Sequence, residues 1–258
     1  MKNLIAVVIV SIGAVAMAAN KGKVLEDLTW KEAEKALTPQ TIVVIPLGAA
    51  AKEHGPHLKL KNDFLMAEYL KKRVIKKANV VIAPTLNYGF YPAFLDYPGS
   101  THLRLETARD MVVDICKSLA QHGPKKFYVI NTGVSTLKSL APAAELLAKE
   151  GITLHYTNIL KAMEPVEKAV LKQEGGTHAD EGETSMMLVM APESVDMKKA
   201  QKDYHPGDGP LSRTKKEGTT FSASGIWGDA TLASKAKVLV EALVKSIMTD
   251  IQNLENLR

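Results

Sequence analysis

The feature that most constrains the fold is an alternation of short apolar runs with longer amphipathic segments. Four runs have the length and the β-branched or aromatic content of buried strands. Because strand–helix–strand units place successive strands parallel to one another, this alternation predicts an α/β fold with a mostly parallel sheet and helices on both faces. The predicted strands are 41–45, 79–83, 126–131 and 152–156.

The helices are predicted from the 3.6-residue spacing of apolar side chains. Thr29 is expected to cap the first helix and Asp63 the second. The pattern weakens over 162–176, and 198–223 is polar and irregular. The loop 87–101 is long enough to predict that it covers a site. The predicted helices cover 64–77, 106–121, a segment ending near 150, 180–191 and a closing helix over 230–257.

The first residues have the features of a secretory signal peptide. Lys2 is followed by an apolar run over 4–17 that is short for a membrane span, and Ala16-Met17-Ala18 fits an A-x-A cleavage signal. We therefore predict a signal peptide over 1–18 and a single domain over 19–258, located in the periplasm or secreted and not bound to a membrane after cleavage. A chain of 258 residues, 46% of them hydrophobic, is ample for one core.

Charge and cysteine content exclude some functions. The net charge of +5 comes from lysines spread along helices, and no basic cluster contains aromatics, so no nucleic-acid partner is predicted. The single cysteine, Cys116, lies in an apolar helical pattern. We interpret it as a packing residue that is not a nucleophile.

The loop after the first predicted strand is rich in metal-binding residue types. Glu53, His54, His57 and Asp63 occur within eleven residues. Loops at the carboxyl ends of parallel strands commonly carry the chemistry of α/β proteins. Histidine with carboxylates suits zinc, manganese or iron. The alternative is a polar turn whose histidines cap helices or lie in solvent.

A second polar group lies in 175–188. His178 follows two glycines, and Glu183 begins an apolar helix. A carboxylate at a helix N-terminus can be purely structural, stabilised by the helix dipole. Together with the first loop, however, the group could supply a further ligand or a general acid–base for metal-assisted hydrolysis.

Several short motifs occur along the chain in a recognisable order: Pro46-Leu47-Gly48-Ala49, His54-Gly55-Pro56-His57-Leu58 with Asp63, Tyr97-Pro98-Gly99-Ser100-Thr101, His178-Ala179, Glu183-Thr184-Ser185, and Ser224-Gly225 with Gly228-Asp229. Through these motifs, over nearly all of the predicted mature sequence, the chain resembles the creatininase family of metal-dependent amidohydrolases. The resemblance implies a three-layer creatininase-like fold, with a centre of one or two Zn or Mn ions at the strand ends. It also implies hydrolysis of a non-peptide C–N bond, in a cyclic amide or formamide, and assembly into a homo-oligomer that acts on a small molecule.

The resemblance also implies roles for individual residues. His54 and Asp63 match family metal ligands, and Glu53 is a shifted substitute for the family's glutamate, which aligns with Ala51 or Lys52. His178 matches the catalytic histidine. Glu183 lies at a position close to the centre, where it either binds metal or orients His178, so His178 and Glu183 are the predicted catalytic residues. His57 is expected to support the ligands.

One departure from the family keeps a second function open. The family's third-strand histidine ligand is missing from 131–136. His102 could replace it, or could be an ordinary loop histidine. The alternative function is therefore a non-catalytic small-molecule-binding protein on the same scaffold. The sequence does not indicate the substrate.

Overall fold

The computed structural model of the chain describes residues 21–257. The predicted signal peptide over 1–18 lies outside the described residues. At the centre of the fold is a five-stranded, entirely parallel sheet with the strand order β1-β3-β2-β4-β5. Its strands are β1 (Lys23–Val24), β2 (Ile42–Leu47), β3 (Val81–Ile82), β4 (Lys126–Asn131) and β5 (Thr153–Tyr156).

The side chains of β2 explain why the fold has three layers. Every residue of this central strand is buried, as expected for a parallel strand with both faces covered. Val44 packs into a cluster with α2, α6 and α7, while Val43 and Ile45 pack on the other face with α3 and α4. The predicted three-layer α/β fold, with a mostly parallel sheet flanked by helices, is therefore confirmed. The helices are α1 (Trp30–Ala36), α2 (Asn62–Lys77), α3 (Leu105–Ala120), α4 (Leu137–Ala148), α5 (Ile159–Val170), α6 (Glu181–Met190) and α7 (Lys237–Glu255).

Two local predictions hold in the structure. Thr29 caps α1 in a reciprocal arrangement with Glu32, whose side chain accepts a hydrogen bond from the Thr29 backbone at 2.8 Å. Cys116 is fully buried in the layer formed by α3, and burial raises the pKa of its thiol to about 12. A thiol in this environment is not a nucleophile.

Two other local predictions are wrong. Asp63 does not cap α2, which begins one residue earlier at Asn62; its carboxylate instead pairs with other side chains. The closing helix begins at Lys237, not at 230. Residues 230–232 form a separate 3₁₀ turn, and the backbone N–H of Ser234 bonds to the hydroxyl of Ser185 on α6, which diverts the chain before α7.

The segment predicted to be irregular, 198–223, contributes three strands to two small strand pairs. β6 (Lys202–Asp203) pairs antiparallel with β9 (Gly228–Asp229), and β7 (Leu211–Ser212) pairs parallel with β8 (Thr220–Phe221). Within residues 21–257, no helix has both the length and the apolar character needed to cross a bilayer.

Candidate metal centre

Two segments distant in sequence meet beyond the carboxyl end of β2. The first is the loop between β2 and α2, which contains His54. The second runs from His178 into the first turn of α6, and a β-bridge to Trp227 fixes its start. The His54 and His178 rings lie 5.1 Å apart between centroids, and both side chains are buried. The two predicted polar groups therefore form one site.

The first side of the site is an ion-paired cluster. The Lys52 ammonium lies 2.7 Å from Asp63 Oδ2, and the other oxygen of Asp63 lies 2.7 Å from His54 Nε2. The side chains of Lys52 and Asp63 are 6% and 1% exposed, so water screens the pair little. The ammonium also lies 4.7 Å from the ring centroid of Phe94.

These charges shift the pKa values of both acidic and basic partners. Burial raises the pKa of Asp63, but the Lys52 ammonium and His54 lower it more, and it lies well below its usual range. Burial lowers the pKa of His54, but the carboxylates of Asp63 and Glu183 outweigh burial and raise it overall. Asp63 is therefore ionised, and the neighbouring carboxylates shift the pKa of His54 upward.

The second side of the site holds a carboxylate with neutral donors. Glu183 Oε1 accepts a hydrogen bond from the Asn62 amide at 2.8 Å, and Oε2 accepts one from the backbone N–H of Ala179 at 2.8 Å. Ala179 has a φ of 49°, a left-handed conformation that is uncommon for alanine. Asp180 caps α6 by accepting from the backbone N–H of Glu183. These two hydrogen bonds come from neutral donors, and within residues 21–257 no lysine or arginine forms an ion pair with Glu183.

The predicted ligand Glu53 lies on the far side of His178. Its Oε2 accepts a hydrogen bond from His178 Nε2 at 3.0 Å, and its other oxygen accepts from the backbone N–H of Gly55. Gly225, at a φ of 86°, packs against this carboxylate so closely that a Cβ there would overlap it. Glu53 therefore contacts the His178 ring and orients it.

The group whose atoms converge best is His54, His178 and Glu183. One donor atom from each lies within 4.8 Å of the others. Nε2 of His54 is 3.4 Å from Glu183 Oε1, and Nδ1 of His178 is 3.9 Å from Glu183 Oε2. Two histidines and a glutamate are a known catalytic zinc ligand set. The residues present fit one divalent ion.

The other predicted residues are placed as follows. Asp63 contacts His54 but is paired with Lys52. His57 lies 2.8 Å from the Thr184 hydroxyl on α6, which fits a supporting role. His102 accepts a hydrogen bond from the backbone N–H of Tyr91 and lies outside the converging group.

Sequence reasoning missed Lys52 and Asn62. After β4, where the family histidine is missing, Thr132 donates a hydrogen bond to the carbonyl of Leu47. The position of Lys52 in the sequence could have identified it. This lysine lies two residues before the ligand histidine, with apolar residues on one side and charged residues on the other. A lysine there is costly to bury unless a carboxylate pairs with it.

Two members of the converging group, His178 and Glu183, line a cavity of about 360 Å³. Its wall contains both aromatic and acidic side chains. Burial raises the pKa of Glu167 to about 7 and that of Asp180 to about 6. The cavity has the size of a small-molecule site. Its lining includes Lys52, Tyr91, Phe94, Thr132, Glu167, His178, Asp180, Glu183 and Trp227.

Fold and site together place the chain among the amidohydrolases with a creatininase-like fold. Residues 26–251 match the family model described as creatinine amidohydrolase. The chain belongs to the creatininase family, which confirms the resemblance and, at the level of the family, the predicted class of hydrolase.

Proteins similar to this chain in sequence or in structure carry different names. The chain is 26% identical to the creatinine amidohydrolase of Pseudomonas putida over 262 residues, covering 90% of this chain and 97% of that protein. It is 24% identical to a 3-dehydro-scyllo-inosose hydrolase of Thermotoga maritima, covering 86% and 80%. A solved structure described as "Creatininase Mn" aligns with a TM-score of 0.76 at 23% identity, covering 92% of this chain and all of that one.

Proposed function

We propose that the protein is a metal-dependent amidohydrolase that hydrolyses a non-peptide C–N bond in a small cyclic amide or formamide. The observation that carries the proposal is the convergence of His54, His178 and Glu183 beside a cavity that His178 and Glu183 line. Family membership supports the reaction class. A divalent ion bound there, Zn²⁺ or Mn²⁺, would polarise a carbonyl and lower the pKa of a bound water.

Hydrogen-bond acceptors set the orientation of both histidines. Nδ1 of His54 lies 2.9 Å from the carbonyl oxygen of Lys52, which can only accept, so this nitrogen carries a proton and Nε2 faces the site. Nε2 of His178 likewise donates its proton to the Glu53 carboxylate, so that Nδ1 is the nitrogen that faces Glu183. Carboxylate or carbonyl partners of this kind fix the tautomer of ligand histidines.

In this proposal His178 and Glu183 hold the ion, whereas the resemblance implied a proton-transfer role for His178. The reason is that Nε2 of His178 is already engaged by Glu53. Nε2 of His54 is shared with Asp63 Oδ1, so binding an ion to this nitrogen releases a proton.

We propose that Glu167 transfers the proton during hydrolysis. It lines the same cavity, and its carboxyl has a pKa of about 7, close to the value at which a side chain both takes up and returns a proton efficiently. Glu167→Gln should lower kcat by about 10²-fold or more while leaving metal content unchanged. Lys168→Gln, one residue on and exposed, is the matched control.

The test of the function begins with metal content. Protein purified without chelator should contain bound metal and hydrolyse a member of a panel of cyclic amides and formamides. Removal of the metal by chelator should abolish turnover, and Zn²⁺ or Mn²⁺ should restore it. Protein that neither contains metal nor binds added Zn²⁺ or Mn²⁺ would contradict the proposal.

One observation favours a second function. Lys52 already neutralises Asp63, and no histidine occurs in 131–136 directly after β4, so the side chains at the site pair with one another without an ion. A non-catalytic protein that binds a small molecule in the cavity would have these features. It differs from the enzyme in one measurement, because ligand binding would then be unaffected by chelator.

We also propose that the protein is exported to the periplasm or secreted, as a homo-oligomer. The A-x-A signal supports export, and family membership supports assembly. Intact mass of the exported chain tests the first proposal, since a chain still beginning at Met1 contradicts it. Light scattering tests the second, since a monomer at micromolar concentration contradicts it.

A further inference from the structure

Lys52 places a positive charge inside the proposed metal centre. Its side chain enters from the loop after β2, and its ammonium contacts Asp63 Oδ2 at 2.7 Å. The ring centroids of Phe94 and Tyr91 lie 4.7 Å and 5.7 Å from the same ammonium. Aromatic faces stabilise a cation at such distances. Asp63 and the two aromatic rings therefore surround the Lys52 ammonium with groups that attract a cation.

The same charge opposes a cation on Asp63. A divalent ion coordinated by Asp63 Oδ2 would need an oxygen that the ammonium already contacts. At a few ångströms, two positive charges in a buried site repel each other strongly. The ammonium is also tethered to the chain, so its displacement would leave Lys52 buried without a partner.

The carboxylates around the two histidines differ in whether a cation pairs with them. Three of them contact the rings: Asp63, Glu183 and Glu53. Lys52 neutralises Asp63, whereas Glu183 is held by an amide and a backbone N–H, which carry no charge. Lys52 therefore pairs with Asp63, whereas the carboxylates on the Glu183 and His178 side of the site contact only histidines and neutral donors.

We propose that the Lys52 ammonium takes the place of a metal ion beside the Asp63 carboxylate, so that each chain binds one divalent ion and not two. This inference rests on the proposed metal site of His54, His178 and Glu183. It assigns Asp63 to the positioning of His54 and Lys52, and it assigns metal binding to the other three side chains. It also implies that Lys52 alone prevents Asp63 from recruiting a second ion.

The experiment counts Zn²⁺ ions bound per full chain, using metal-free protein, calorimetric titration and elemental analysis. Wild type should bind one ion. Lys52→Glu should bind two, because it removes the ammonium and adds a carboxylate beside Asp63. Lys59→Glu makes the same charge change at an exposed position of the same loop and should remain at one.

The outcomes separate this inference from the proposed function. Wild type that binds no ion overturns the metal site itself. Wild type that binds two ions, or a folded Lys52→Glu variant that stays at one, overturns the role of Lys52 alone.

A double variant keeps the inference testable if Lys52→Glu fails to fold. Lys52→Met with Asp63→Asn removes both members of the ion pair and should still bind one Zn²⁺. Loss of that ion would identify Asp63 as a ligand and overturn the inference.

Discussion

Asp63 and Glu183 are both in the first turn of a helix and both lie close to His54 Nε2, at 2.7 Å and 3.4 Å, yet their surroundings differ. Asp63 is 1% exposed and is paired with an ammonium. Glu183 is 14% exposed and is held by neutral N–H donors. The difference shows how one site can contain a structural carboxylate and a carboxylate whose charge is available to a ligand.

The largest expected effect comes from breaking the ion pair. Asp63→Asn leaves the Lys52 ammonium buried without its partner and should lower the free energy of unfolding by about 3–5 kcal/mol. Glu183→Gln should lower it by only about 1 kcal/mol, the loss of a hydrogen bond. Urea unfolding in chelator measures both. Equal losses in the two variants would contradict the distinction between the carboxylates.

The second effect concerns stabilisation by metal. With Zn²⁺ at 100 times its Kd, wild type should gain about 2.7 kcal/mol of stability. Glu183→Gln should lose most of this gain, because it removes a ligand. Lys52→Met with Asp63→Asn should keep it. Thermal unfolding with and without Zn²⁺ is the measurement, and a full gain in Glu183→Gln would remove that residue from the ligand set.

A smaller effect is expected from the residue that orients His178. Glu53→Gln replaces the carboxylate at His178 Nε2 by a neutral group and should weaken Zn²⁺ affinity about 10-fold. Competition with a chelating dye measures the Kd. Glu193→Gln, at an exposed position, should leave it unchanged. Complete loss of binding in Glu53→Gln would mean that Glu53 is itself a ligand.

The last effect is absent at neutral pH and is a pH dependence at His57, which lies 2.8 Å from the Thr184 hydroxyl. Burial lowers the pKa of His57 to about 4, whereas an unfolded chain has a value near 6.5. The unfolded state therefore binds the proton more readily, and stability should fall by about 2 kcal/mol as pH drops from about 6.5 to 4. His57→Gln should lessen this slope. The exposed His122→Gln should not.

The fold was largely predictable because its signals are local. β4 occupies 126–131 as predicted, since six residues between Pro124 and a polar turn define the strand without tertiary information. The start of α7 was not predictable. It depends on the hydrogen bond from Ser234 to Ser185, a contact between segments 49 residues apart.

The site was only partly predictable, for the same reason. The motifs identified His54, His178 and Glu183 as neighbours, but which of the nearby carboxylates would face an ion depends on their partners. Asp63 and Lys52 are eleven positions apart, and their pairing follows from the path of the loop. Sequence spacing does not give that path.

Ala179 shows how the interior of the protein reaches the site. Its left-handed φ of 49° aims its N–H at Glu183, and such a conformation costs about 1 kcal/mol or more for a residue with a Cβ. Its fully buried methyl group belongs to the hydrophobic cluster shared by α6 and α7. Close packing of that methyl group therefore keeps the strained Ala179 peptide in the orientation that points its N–H at the Glu183 carboxylate. A substitution in α7 that leaves a cavity in this cluster should therefore change the direction of that N–H.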